Sequence, residues 1–122
     1  MRMKRSRVRT LFLKNKTVEK DTEGGTYTVF SNPIEVRGEV WPANSDLQVQ
    51  TYGDRVNAMQ NVKIKGKYTV TSVGTKDVYS FGTFSLAAGD GLCINVAGTE
   101  SPDYQIVSIR PYKPLRLEVE RL

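Results

Sequence analysis

No stretch of this chain carries a helical stripe: in no 11-residue window do apolar residues recur at i, i+3, i+4 and i+7 without a Gly or Pro interrupting them. That leaves short alternating runs as the material for a core. Val8, Thr10 and Phe12, with Leu11 and Leu13 in the opposite phase, read as a first strand. Tyr27 and Val29 read as a second, joined to the first through Glu23-Gly24-Gly25, whose glycines can take the positive φ of a tight hairpin. Beyond the break at Asn32-Pro33, Ile34, Val36, Gly38 and Val40 alternate with Glu35, Arg37, Glu39 and Trp41, a period of two that separates an apolar face from a charged one. Trp41 falls on the charged side, which places it at a twist or on an outer face that something else covers. Pro42 cannot donate to a ladder and ends the strand.

The pattern resumes at Val62, Ile64, Tyr68, Val70 and Val73, read as one strand whose phase a bulge at Gly66 restores. An aromatic run from Val78 to Leu86, the alternating Leu92, Ile94 and Val96, the run Tyr104 to Ile109, and Leu115, Leu117 and Val119 follow, with Gly-, Asp- and Pro-rich turns between them. The expectation is an all-β domain: a small β-barrel or sandwich of about seven to nine antiparallel strands with little or no helix. Residues 43–61, ANSDLQVQTYGDRVNAMQN, are polar, with Leu47, Val49, Tyr52, Val56 and Met59 too thinly spread to nucleate a core. They are expected to form one long polar loop or hairpin, although Ser45 is also placed to cap a single helical turn.

At 122 residues the chain suits one domain. Its apolar runs are far shorter than the roughly 20 residues that cross a bilayer, and its N-terminus lacks the apolar core of a secretory signal, so no membrane association is expected. The lone Cys93, in the run LCINV, reads as a small buried side chain in a reducing compartment. The formal net charge is +5, but it is polarised: residues 1–20 hold eight Lys or Arg against Glu19, a balance of +7, and the remainder carries −2. Basic character is therefore expected in an N-terminal arm, residues 1–7, and the first strand, with a nearly neutral body.

Chemistry is hard to place. The chain has no histidine, which removes the commonest general base and zinc ligand, and one cysteine cannot build a thiolate metal site. Carboxylates remain, at Glu35/Glu39, Asp46/Asp54, Asp90, Glu100/Asp103 and Glu118/Glu120. They alternate with apolar residues or sit in turns, where solvated faces and turn caps are the ordinary reading. Gly89-Asp90-Gly91 opens a strand and not a helix, so it is a turn and no phosphate cradle. No enzyme, cofactor or small-molecule substrate is expected.

A strand ending in Trp41-Pro42, a polar segment, the basic run VKIKGKYTV, the Gly-Asp turn opening GDGLCINV and the closing DYQIVSIRPYKPLRLEVERL follow one another over roughly Ile34 to Leu122. This order resembles the small head-completion proteins of tailed bacteriophages, the head-tail connector or stopper proteins. The resemblance implies a small β-barrel that assembles into a ring below the portal and adaptor, on the path of the DNA, and docks the tail on its other side. It also implies a place in the virion neck after synthesis in the host cytoplasm. In some members a long loop projects into the channel, and 43–61 holds that position here. Asp46, Gln48, Gln50, Tyr52, Asp54 and Arg55 are then candidates for a channel or docking loop.

Arg2, Lys4, Arg5, Arg7 and Arg9 are candidates for contact with a neighbouring subunit or with DNA phosphate, and Trp41 and Tyr112 for interface anchors. The stretch from Gly74 to Gly91 is longer than the simplest connector needs, which suggests an extra hairpin or a relative such as a tail terminator. The rival from another class is a nucleic-acid-binding barrel with a basic N-terminal arm.

Overall fold

The structure, a computed structural model, describes residues 8–122. In chain order the first elements are β1 (Val8–Lys14), β2 (Lys16–Lys20), β3 (Thr26–Phe30), β4 (Ile34–Pro42) and α1 (Asp46–Tyr52), followed by a 3-10 helix (Gly53–Ala58). Then come β5 (Met59–Ile64), β6 (Thr69–Val73), β7 (Lys76–Ser80), β8 (Ser85–Leu86), β9 (Gly91–Cys93), β10 (Tyr104–Arg110) and β11 (Leu115–Arg121).

Six of these strands, in the order β1-β4-β5-β11-β10-β9, close into an antiparallel barrel. Closure removes the open strand edges that would otherwise template pairing with other chains. The all-β barrel expectation holds. The eleven strand segments exceed the expected seven to nine because Asn15 splits the first run into β1 and β2 and because β8 is a two-residue addition.

The inward phase is the one the alternation marks. Leu11 and Leu13 of β1, Val62 and Ile64 of β5, and Leu115, Leu117 and Val119 of β11 meet inside the barrel with Leu92 and Ile106. Full burial of each leucine is worth about 2 kcal/mol. Gly38, on the same phase of β4, has no room for a side chain: a Cβ there would lie 3.2 Å from Leu11 and Val62 carbons.

Three expectations need correction. The first hairpin does not pair the first strand with Tyr27. β1 pairs with β4 and β9, and it is β2 that pairs with β3 across the turn at 21–25. Asp21 Oδ1 holds that turn by accepting from the Glu23 and Gly25 amides at 2.9 and 2.7 Å. Second, the run from Val62 to Val73 is not one bulged strand. Gly66 sits at φ 139°, a conformation that side chains resist, and the chain leaves the barrel there. β6 belongs to a separate sheet, β6-β7-β8, whose last two strands lie within 74–91. Third, 43–61 is neither a loop nor a hairpin. It holds α1 and the 3-10 helix, and its last three residues start β5.

α1 forms because Ser45 closes a capping box. Its Oγ accepts from the Gln48 amide at 3.2 Å, while the Gln48 side chain accepts from the Ser45 amide at 3.4 Å. Asp46 in the first turn complements the helix dipole. Gly53, at φ 60°, ends the helix. Among the described residues no helix is long and apolar enough to cross a membrane.

Candidate interaction surfaces

Residues 35, 37, 39 and 41 of β4 share the outer phase of the barrel with 61 and 63 of β5 and with 116, 118 and 120 of β11, as the registers Glu39↔Lys63, Trp41↔Asn61, Arg116↔Lys63 and Glu118↔Asn61 require. α1 covers one part of this face through polar side chains. Gln48, 3% exposed, donates through Nε2 to Asn61 Oδ1 at 2.6 Å and to Glu118 Oε2 at 2.7 Å. Tyr52 donates its hydroxyl to Glu118 Oε1 at 3.0 Å, and Arg110 Nε reaches the same oxygen at 3.2 Å. Arg55 forms a two-pronged pair with Glu120 at 2.8 and 3.0 Å.

Glu118 thus stays charged although buried. Burial alone would raise its pKa, but the hydrogen bonds from Gln48 and Tyr52, with Arg110, outweigh it and hold the carboxyl below its usual range. Burial, and next the hydrogen bond to Glu118, push the Tyr52 phenol up.

The six residues expected on a projecting loop therefore divide. Gln48, Tyr52 and Arg55 fasten the segment to the barrel, whereas Asp46, Gln50 and Asp54 are exposed. The segment is not a free channel loop. What it does offer outward is apolar: Leu47 is 65% and Val49 47% exposed, on either side of the buried Gln48.

One of the two sheets outside the barrel is the β2-β3 ribbon, in which every residue from 17 to 28 is exposed. Its root is fixed by a buried carboxylate. Asp90, 3% exposed, accepts from the Lys16 amide at 2.9 Å, the Ala87 amide at 2.9 Å and Asn15 Nδ2 at 3.0 Å. Asp103 does the same for the end of β9, accepting from the Ile94 and Asn95 amides at 2.8 and 3.0 Å. Glu39 and Glu118 are buried, contrary to their reading as solvated carboxylates, whereas Asp90, also buried, caps the turn it was read in. Among the described residues no group of three His, Cys, Asp or Glu side chains is placed to hold a metal ion.

Of the basic candidates, Arg2, Lys4, Arg5 and Arg7 lie outside the described residues. Arg9 is engaged within the chain, donating to the Ile94 carbonyl at 2.8 Å and to Asn95 Oδ1 at 3.1 Å. Trp41 and Tyr112 come together: both line one groove of about 210 Å³ with Lys63, Lys113, Pro114 and Arg116. Lys63 sits 5.4 Å from the Trp41 ring centroid, and the Arg116 guanidinium 5.6 Å from that of Tyr112. A larger groove of about 680 Å³ shares Lys113 and Pro114 and is lined further by Lys65, Gly66, Lys67, Tyr68 and Thr69.

The body is therefore not evenly neutral. Five cations from two separate segments line adjoining grooves, a convergence that the −2 total hides. The lysines at 63, 65 and 67 are the trace of it in the sequence, and only the fold brings Lys113 and Arg116 to them. Comparison with protein-family models, curated proteins and solved structures returns no match.

Proposed function

We propose that the chain is a structural subunit of a ring at the head-tail interface of a tailed bacteriophage or prophage. It binds the portal or adaptor on one side and the tail on the other, along the DNA channel of the virion neck, and it works by shape and contact without catalysis. The observation that carries this reading is the β2-β3 ribbon. A two-stranded ribbon is marginal in water, and this one presents Val18, 63% exposed, on one face and Tyr27, 47% exposed, on the other, with no layer of the described residues over 17–28. Such a ribbon buries Val18 and Tyr27 together only when other molecules cover both of its faces, as a strand ribbon inserted between ring neighbours would be.

A ring joins one patch to a different patch on the next copy. The ribbon supplies one half, and the outward apolar side chains of α1, Leu47 and Val49, are the counterpart. The barrel meanwhile supplies a rigid base, with its carboxylates committed to hydrogen bonds that hold α1 and the ribbon root in place.

The test is co-sedimentation of the full chain with portal-bearing, tailless capsids, comparing wild type with Val18→Asp/Tyr27→Asp. Wild type is expected to pellet with the capsids and the double variant, folded by circular dichroism, to stay in solution. Pelleting with isolated tails and not with heads would instead place the subunit on the tail side, as a terminator. Binding to neither would overturn the reading.

A further inference from the structure

We infer that the grooves lined by Lys65, Lys67, Lys113 and Arg116 form a binding surface for the phosphodiester backbone of a nucleic-acid duplex. This goes beyond the ring reading and does not depend on it. No acidic residue lines either groove. Glu39 lies opposite Lys63 in register, so the available charge is that of Lys65, Lys67 and Lys113. Lys65, Lys67 and Lys113 are exposed, so their ammonium groups meet the solvent where an incoming anion would replace it. The Arg116 guanidinium lies over the Tyr112 ring, with its Nε buried and without a hydrogen-bond partner among the described residues.

Two features select a duplex backbone over other anionic partners. Protein interfaces are depleted in lysine, whereas phosphates are held well by lysines acting as point charges. The rings that would otherwise stack on unpaired bases, Trp41 and Tyr112, each already face a cation of the same chain, Lys63 and Arg116. They hold the cations in place and leave recognition to charge, which makes the contact indifferent to sequence and steep in salt.

The test is a titration of labelled duplex DNA of mixed sequence with the full chain at several salt concentrations. Wild type is compared with Lys65→Gln/Lys67→Gln/Lys113→Gln and with a variant neutralised at Arg2, Lys4, Arg5 and Arg7. Each phosphate contact contributes about 0.9 to the slope of log affinity against log salt, so the lysine variant should lose close to three contacts' worth. Between about 50 and 200 mM salt, wild type then loses about 40-fold more affinity than that variant. All three altered lysines are exposed, and an unchanged thermal transition confirms that the variant folds.

Equal slopes for wild type and the lysine variant would overturn the inference, as would loss of binding only in the arm variant. Equal binding of poly-glutamate at matched charge would overturn the assignment to a phosphodiester. None of these outcomes bears on capsid co-sedimentation, so this surface and the ring reading fail separately.

Discussion

Gln48 and Glu118 lie 70 positions apart and meet at 2.7 Å, the buried amide of a helix donating to the buried carboxylate of a barrel strand. The contact fixes α1 to β11 through polarity and frees Leu47 and Val49 to face outward. Removing either partner deprives the other of one buried hydrogen bond, the only one made to Glu118 Oε2 among the described residues. Gln48→Ala or Glu118→Gln is therefore expected to cost about 2 kcal/mol in urea unfolding, and the double variant less than the sum. Faster hydrogen exchange confined to α1 in Gln48→Ala would show that the helix, and not the barrel, has come loose.

Acid weakens the same attachment. Glu118 and Glu120 are both held below the usual carboxylate range: Glu118 by the hydrogen bonds and charge that overcome its burial, Glu120 chiefly by the hydrogen bond from Arg55. A carboxylate with a folded value below its unfolded value, about 4.3, contributes fully above that value and loses its contribution as pH falls through the folded one. Stability is expected to be level from about pH 7 to 5 and to drop below about pH 4.3. Glu118→Gln should show a shallower acid limb. The Arg55–Glu120 pair, with the arginine side chain 52% exposed, adds little on its own.

Gly91 has no room for a methyl group. A Cβ there would lie 2.6 Å from Pro102 Cγ, 2.8 Å from Pro102 Cβ and 3.0 Å from Phe30 Cε1. The proline ring cannot swing aside, so Gly91→Ala is expected to destabilise the chain by about 2 kcal/mol. An unchanged thermal midpoint would contradict this packing.

Cys93 is 1% exposed, and burial raises its thiol pKa. Under native conditions it should react with a disulfide reagent about 100-fold or more slowly than in urea, because the barrel must open first. Labelling at equal rates in the two conditions would show that β9 is not closed against its neighbours.

The barrel is legible in the sequence because its strands obey one rule. Leu115, Leu117 and Val119 alternate with Arg116, Glu118 and Glu120, and the first three are fully buried, as a period of two demands. The helix is illegible to the same reasoning because its inward contacts come from Gln48 and Tyr52, not from an apolar stripe. Only the Ser45 cap marks it. The division at Gly66 is hidden for a related reason: apolar residues continue on both sides, and a glycine reads equally as a bulge or as an exit. The basic grooves are hidden in the sequence because Lys65 and Lys113 lie far apart along the chain and become neighbours only in the fold.

In the proposed ring the β2-β3 ribbon, exposed from 17 to 28 in the free chain, is covered by another molecule. Hydrogen exchange of residues 17–28, followed in the free chain and in the chain bound to portal-bearing capsids, tests this directly. Rapid exchange when free and strong protection when bound is the expected result. Exchange that remains equally rapid in the bound particle would contradict it.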